Sequence, residues 1–158
     1  MTLIPNAMPA AQPDQTLHDL VRCGDSINLK KALSKKNHDI NKLDELGLTA
    51  LHYAARNGHQ ECLELLLYQK EINTDAFDEN GFTPLHWAVM YDHIDCAKLL
   101  LAHNVDIRLA IQKGAFVGKT VEQLIKIKGH KNFESFFKKR RQQKITRNTK
   151  KSINTQQT

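Results

Sequence analysis

Eight histidines and three cysteines in a chain of 158 residues raise metal binding first. A zinc site needs thiolates or imidazoles at short fixed spacings such as Cys-x-x-Cys or His-Glu-x-x-His, and neither spacing occurs. His52 and His86 stand 34 positions apart, as do Cys62 and Cys96, and Cys23 has no partner at metal-ligand spacing. A second chemistry is offered by Gly114-Ala115-Phe116-Val117-Gly118-Lys119-Thr120, which has the outline of a phosphate loop. A Walker-type cradle holds four residues between its glycines and this run holds three. One residue fewer removes a backbone N–H from the wrap, and the same Gly-Lys-Thr fits a hairpin leading into a helix. No Ser/His/Asp or Cys/His set stands outside the repeat described next. The expectation is therefore no catalytic residue, no cofactor and no metal.

The elements that carry these residues follow from composition and punctuation. The chain has 23 Lys and Arg against 17 Asp and Glu, a formal charge of +6, and 41% apolar residues. That allows one modest core or a repeat array of the same size, and no run approaches the ~18 apolar residues of a membrane span. Seven glycines and four prolines are too few for an all-β design with many tight turns. An odd number of cysteines, with no Lys or Arg before Arg22 to form a signal-peptide n-region, leads to the expectation of a reducing, intracellular compartment. Three of the four prolines fall in the first thirteen residues. Residues 1–15 read as a flexible leader, and residues 138–158 as a basic disordered tail.

Between them the chain repeats. Leu17-His18, Leu51-His52 and Leu85-His86 are spaced by 34, as are Asp44 to Thr49 and Asp78 to Thr83. Glu61-Cys62-Leu63 with Leu65-Leu66-Leu67 likewise matches Asp95-Cys96-Ala97 with Leu99-Leu100-Leu101. A fixed period of this size marks a stacked repeat protein. Gly81-Phe82-Thr83-Pro84-Leu85-His86-Trp87-Ala88 and the run Thr49 to His59 resemble the ankyrin signature. Residues 16–43 resemble an N-terminal capping repeat. Gly118-Lys119-Thr120, continuing to Gly129-His130, resembles a degenerate final one. The resemblance covers residues 16–137 and implies an all-α ankyrin-repeat solenoid of about four helix-turn-helix units with β-hairpin-like loops. Its units are 16–43, 44–77, 78–114 and 115–137.

Within such a unit Thr49 and Thr83 are expected to cap the first helix, with Pro84 in its first turn. Gly24, Gly58 and Gly129, with Asp92 in the third unit, are expected to end it in the left-handed conformation. Phe133, Phe136 and Phe137 fall at helical spacing and are expected to close the stack. Thr83 to Thr120 spans 37 residues, so three extra residues lengthen the last loop. The resemblance further implies that His52 and His86 hydrogen-bond between neighbouring units.

The same resemblance implies a non-enzymatic scaffold or adaptor that binds a protein through its concave groove. Leu46, Leu48, Arg56, Asn57, Phe77, Glu79, Asn80, Phe82, Trp87, Met90, Tyr91 and Phe116 are the expected contact residues. Large apolar and aromatic side chains on one face have the composition of a binding hot spot. The alternative is a nucleic-acid or anionic-membrane binder acting through the tail, whose Lys138-Lys139-Arg140-Arg141 run also reads as a nuclear-import signal or a solubilising end. Asn41 resembles the asparagine that eukaryotic hydroxylases modify in ankyrin segments. A cytoplasmic monomer is expected, nuclear if the tail acts as an import signal. Small ankyrin proteins of this type also occur among effectors that intracellular bacteria deliver into host cells. For such an effector the location is the host cytosol or nucleus. Without the tail's eight cations the body is mildly acidic.

Overall fold

Threonine followed by a short apolar run starts the inner helices. Thr49 and Thr83 are N-caps in extended backbone, and each hydroxyl accepts the N–H of the third helical residue. The computed structural model describes residues 15–35, 38–103, 105–140 and 142, and the expected leader through residue 14 lies outside them. Helices α1 (Leu17–Arg22), α3 (Ala50–Asn57), α5 (Pro84–Met90) and α7 (Val121–Lys128) are the inner row. Helices α2 (Ser26–Ser34), α4 (Gln60–Leu67) and α6 (Ile94–Ala102) form the outer row. A further outer helix, α8, covers residues 131–140. Pro84 opens α5, where its missing N–H costs nothing.

Inner helices pack on inner helices in the order α1, α3, α5, α7, and α2, α4 and α6 follow the same order outside. One continuous core results, with Leu51, Leu63, Leu66, Leu85, Leu100 and Leu124 fully buried. Each such leucine contributes about 2 kcal/mol of transfer free energy. Ala54, Ala55 and Ala88 are fully buried, and their small size lets neighbouring inner helices approach. Cys62 and Cys96 are buried in the same layer, where burial pushes both thiols up to about 11, so they act as small apolar residues. Phe133 and Phe137 close the far end from α8, while Glu134 and Ser135 face solvent.

Between units the chain turns through loops that project as fingers. In the first two, one carboxylate organises the turn. Asp44 Oδ1 accepts the N–H of Leu46 and of Leu48, and Asp78 Oδ1 accepts those of Asn80 and Phe82. The third finger is closed by backbone instead. Ala110 and Thr120 form an antiparallel bridge, Ile111 N–H donates to Lys119, and Gly118 N–H to Ile111. Its tip is a single 3-10 turn at Gly114–Phe116. The three extra residues thus form an ordered hairpin that also pairs with the second finger, Gln112 and Lys113 N–H donating to Gly81 and Asn80.

A histidine in each early unit ties one inner helix to the next finger. His52 Nδ1 accepts from the Thr49 N–H and hydroxyl, at 3.1 and 2.8 Å. Its protonated Nε2 then faces the carbonyls of Ala76 and Phe82, both at 3.1 Å. His18 Nε2 meets Lys42 and Leu48 the same way. His86 keeps the Thr83 contacts, yet its Nε2 has no hydrogen-bond partner among the described residues. The Leu109 carbonyl of the lengthened third loop lies near enough to act on the ring but outside hydrogen-bond geometry.

A second row of contacts breaks at the same junction. His59 and His93 lie against Gly24 and Gly58, where an added Cβ would sit 3.0 and 2.6 Å from the ring, and they reach the carbonyls of Arg22 and Arg56. In the third unit the left-handed position is Asp92, at φ 61°. His130 then contacts its carboxylate at 3.4 Å, and His130 Nε2 is left unpartnered among the described residues.

These features set two stability outcomes. Burial holds His52 below the usual imidazole range and His86 down to about 4, with the Leu109 carbonyl and Asp78 pulling His86 weakly the other way. Both rings fold neutral, so their contribution is complete above about pH 6.5 and is lost as pH falls. At pH 5 the cost from His86 alone is about 2 kcal/mol, and thermal melting should show it as a drop of several degrees from pH 7.5. His86→Gln, which copies Gln123 accepting the Thr120 N–H in the fourth unit, should flatten that pH dependence by half or more. Asp92→Gly should raise stability by about 0.5–1 kcal/mol by relieving the left-handed Cβ and freeing the place the imidazole takes in the earlier units. An unchanged or lower denaturation midpoint would show the Asp92–His130 contact to be worth more than the strain.

Candidate protein-binding groove

The concave surface is built from the exposed edge of the inner helices and the finger tips. Trp87 lies half-buried beside it and Tyr53 is buried at the equivalent position of α3, and each is fastened to its own finger. Tyr53 hydroxyl donates to Asp44 Oδ2 at 2.7 Å and Trp87 Nε1 to Asp78 Oδ2 at 2.9 Å, nine residues apart in both units. Burial raises the Asp44 pKa, but the Tyr53 hydroxyl and the backbone donors of Leu48 and Leu46 outweigh it and leave the carboxyl below its ordinary range. Phenylalanine at 53 or 87 would have no donor to offer. These two ring systems therefore stiffen the wall that carries the groove.

Arg56, from the second unit, lies across rings of the third. Its guanidinium carbon is 5.1 Å from the Trp87 ring centroid and 5.8 Å from that of Tyr91. Trp87 and Tyr91 stack at 5.8 Å with 17° between planes, and His93 continues the stack beyond Tyr91. Tyr91 remains 47% exposed and Trp87 and Met90 are half-buried. Leu46 is 59% exposed at the first finger tip, with Glu79 and Asn80 exposed at the second. Asn57 is exposed and its amide donates to the Arg22 carbonyl. Phe77 and Phe116 are half-buried.

Two of the expected contact residues belong to the core instead. Leu48 is 3% and Phe82 8% exposed. Each follows the finger's left-handed glycine, Gly47 or Gly81, and the return strand turns its side chain under the finger. Phe82 meets His86 edge-on at 6.1 Å and packs at 5.0 Å against Trp87. It supports the aromatic platform from below.

The basic run also differs from the expectation. Lys138, Lys139 and Arg140 are part of α8, not of a disordered tail, and the Arg140 guanidinium donates to the Leu101 carbonyl at 3.2 Å, near the end of α6. Arg141 and residues from 143 onward lie outside the described residues. Asn41 is half-buried. Its amide donates to the Glu71 carbonyl at 2.7 Å and its Oδ1 accepts the Asn73 N–H at 2.8 Å, so it joins successive loops.

In the Gly114–Thr120 segment the N–H groups of Val117, Gly118 and Lys119 donate to the carbonyls of Gly114, Ile111 and Phe116, and that of Thr120 to Gln123. Among the described residues no group of three or more His, Cys, Asp or Glu is placed to hold a metal ion. No described helix is long and apolar enough to cross a membrane.

No curated protein matches the chain. The family described as ankyrin repeats (3 copies) matches residues 17–111, more than half of the sequence. Ankyrin repeats generally mediate protein–protein interaction and are typically non-enzymatic. With the period, the paired helices, the projecting fingers and the His18 and His52 ties in place, the chain belongs to the ankyrin-repeat family.

Proposed function

We propose that the chain is a monomeric, non-enzymatic scaffold that holds a partner protein in its concave groove, with Arg56, Trp87 and Tyr91 as the anchor. The observation that carries this reading is the guanidinium laid over two stacked rings, one of them half exposed. Trp, Tyr and Arg are the residue types that dominate binding hot spots, and rings fixed before binding lose little entropy on contact. Folding does not require them there: Arg56 and Tyr91 lie outside the buried core, and the equivalent positions of the last unit are Ile127 and Lys128. The role is that of an adaptor or regulator inside a cell. A bacterial effector acting in host cytosol or nucleus is the same reading in another setting, resting on the family's habits alone.

A second reading assigns binding to the basic C-terminal residues and an anionic surface or nucleic acid. It is favoured by the cations of α8 and separated from the first by salt. Electrostatic binding of that kind weakens steeply between 50 and 200 mM salt and disappears on truncation after Phe137, which removes Lys138, Lys139 and Arg140 with the residues beyond them. The groove reading is tested by Arg56→Ala combined with Tyr91→Ala. Melting of this variant should move by less than about 1 kcal/mol, because neither side chain is in the core. Proteins recovered from lysate by the full chain should bind the variant at least ~2 kcal/mol more weakly. Equal recovery by both would remove the groove from the binding site.

A further inference from the structure

The charges of the fold are sorted along the stack. Residues 15–112 carry ten Lys and Arg against fourteen Asp and Glu, whereas residues 113–140 carry eight against two. The basic character therefore begins inside the folded cap, well before the last residues. The groove shows the same sorting.

At its N-terminal end an open cleft of about 1100 Å³ lies between α1 and the loop of residues 38–46. Its carboxylates are Asp19, Asp39, Asp44 and Glu45, and its cations are Arg22 and Lys42. Arg22 is already engaged with Asp19 at 3.4 Å. Glu79, exposed on the next finger, extends the acidic side and packs over Gly47.

The opposite end is basic and apolar. Gly58, Asp92 and Gly129 share the left-handed position at the end of their helices. That register places Ile127 and Lys128 where the earlier units have Arg56 and Asn57, then Met90 and Tyr91. Both are exposed, as are Val117 at the third finger tip and the flanking Lys113 and Lys119. Glu122, half-buried at the start of α7, is the one acid of that helix.

We infer that the groove is polarised and takes a protein segment whose own charges are ordered to match. Basic residues lie over the first two fingers, an aromatic or aliphatic anchor lies on the Arg56–Trp87–Tyr91 platform, and acidic residues lie over the cap. This rests on the groove reading above and adds the chemistry of the partner. Packed helices are separated by about 8–10 Å, so three steps from α1 to α7 put the two ends roughly 25–30 Å apart. The Debye length at physiological ionic strength is about 8 Å, so neither end cancels the field of the other. An extended segment of about eight or nine residues at ~3.3 Å each spans the distance. Like charges facing each other at both ends oppose the wrong arrangement, so each end contributes to rejection as well as to attraction.

The experiment uses displayed random dodecapeptides selected on the full chain, followed by anisotropy titration of the labelled consensus peptide. Enriched peptides should carry Lys or Arg in one half, Asp or Glu in the other, and an aromatic or aliphatic residue between. A peptide with its acidic and basic residues exchanged should bind the native chain at least tenfold more weakly. It should recover on the variant Glu45→Lys, Glu79→Lys, Lys119→Glu, Lys128→Glu, whose four sites are all exposed. If that variant melts early, the two halves are read separately as Glu45→Lys with Glu79→Lys and Lys119→Glu with Lys128→Glu, each expected to weaken the consensus peptide.

Peptides that need Arg56 and Tyr91 but show no charge order would overturn the polarity and leave the groove reading standing. Peptides that bind the Arg56→Ala, Tyr91→Ala variant undiminished would overturn both, as would a selection that enriches nothing. Sedimentation showing salt-sensitive, head-to-tail association of the chain would assign the two ends to another copy and overturn the partner proposed here.

Discussion

The stack depends on an imidazole that must stay neutral. His52 accepts at Nδ1 from the cap of its own helix and turns its Nε2 proton to two carbonyls of the following finger. A charged ring would lose the acceptor at Nδ1, and a side chain without two ring nitrogens could not serve both partners at once. One buried residue thus defines where the helix starts and where the next unit docks. Burial enforces the state it needs, because removing the ring from water disfavours its protonation. Apolar packing alone would hold the helices together without choosing their register. The histidine chooses it, and His18 repeats the choice one unit earlier.

The last junction keeps the packing and loses the ties. Val121, Leu124 and Ile125 are buried as fully as their counterparts, while His86 and His130 each retain a nitrogen with no partner among the described residues. Two local changes cause this. The longer third loop brings the Leu109 carbonyl toward His86 without hydrogen-bond geometry, and Asp92 replaces the glycine over which the following imidazole rests in the first two units. Because a solenoid's stability is approximately a sum over neighbouring interfaces, a weak interface stays local. Phe133, Phe137 and the Arg140 contact with Leu101 compensate at that end, so α8 belongs to the fold's closure rather than to a tail.

Legibility followed the range of each interaction. Thr49, Thr83, Gly58 and Asp92 could be placed from sequence because cap and left-handed positions are decided within one turn of chain. Phe133 and Phe137 could be placed because a helix end needs an apolar face. Leu48 and Phe82 were misplaced for a similar reason: both follow a finger glycine, and period alone does not say whether the returning strand points in or out. The fastening of Tyr53 to Asp44 and of Trp87 to Asp78 was present as a nine-residue spacing repeated in two units, and ring hydrogen-bond donors at both sites were its signal. Arg140 was hidden by composition. Eight cations without an acid read as solvated chain, while the helix that carries the first of them is held by residues upstream.

The separation between what folds the chain and what it presents to a partner is physical. Thr49, His52, Ala54, Ala55 and Leu63 are buried, and changing any of them alters a packed contact or a cap. Glu45, Glu79, Tyr91 and Lys128 are exposed and Arg56 is half-buried, all outside the core, although Arg56 and Tyr91 rest on Trp87 and Glu79 on Gly47. Their identities are therefore free to vary without moving the backbone that aims them. The platform occupies an intermediate case: Trp87 is tied to Asp78 and supported by Phe82, so its ring is rigid, while Arg56 reaches it from the preceding unit. A contact between two units that is also exposed couples the groove's surface to the relative placement of those units. Any partner that rests on Arg56 and Tyr91 together binds the stacked arrangement of α3 and α5, and by linkage stabilises the junction that aligns them.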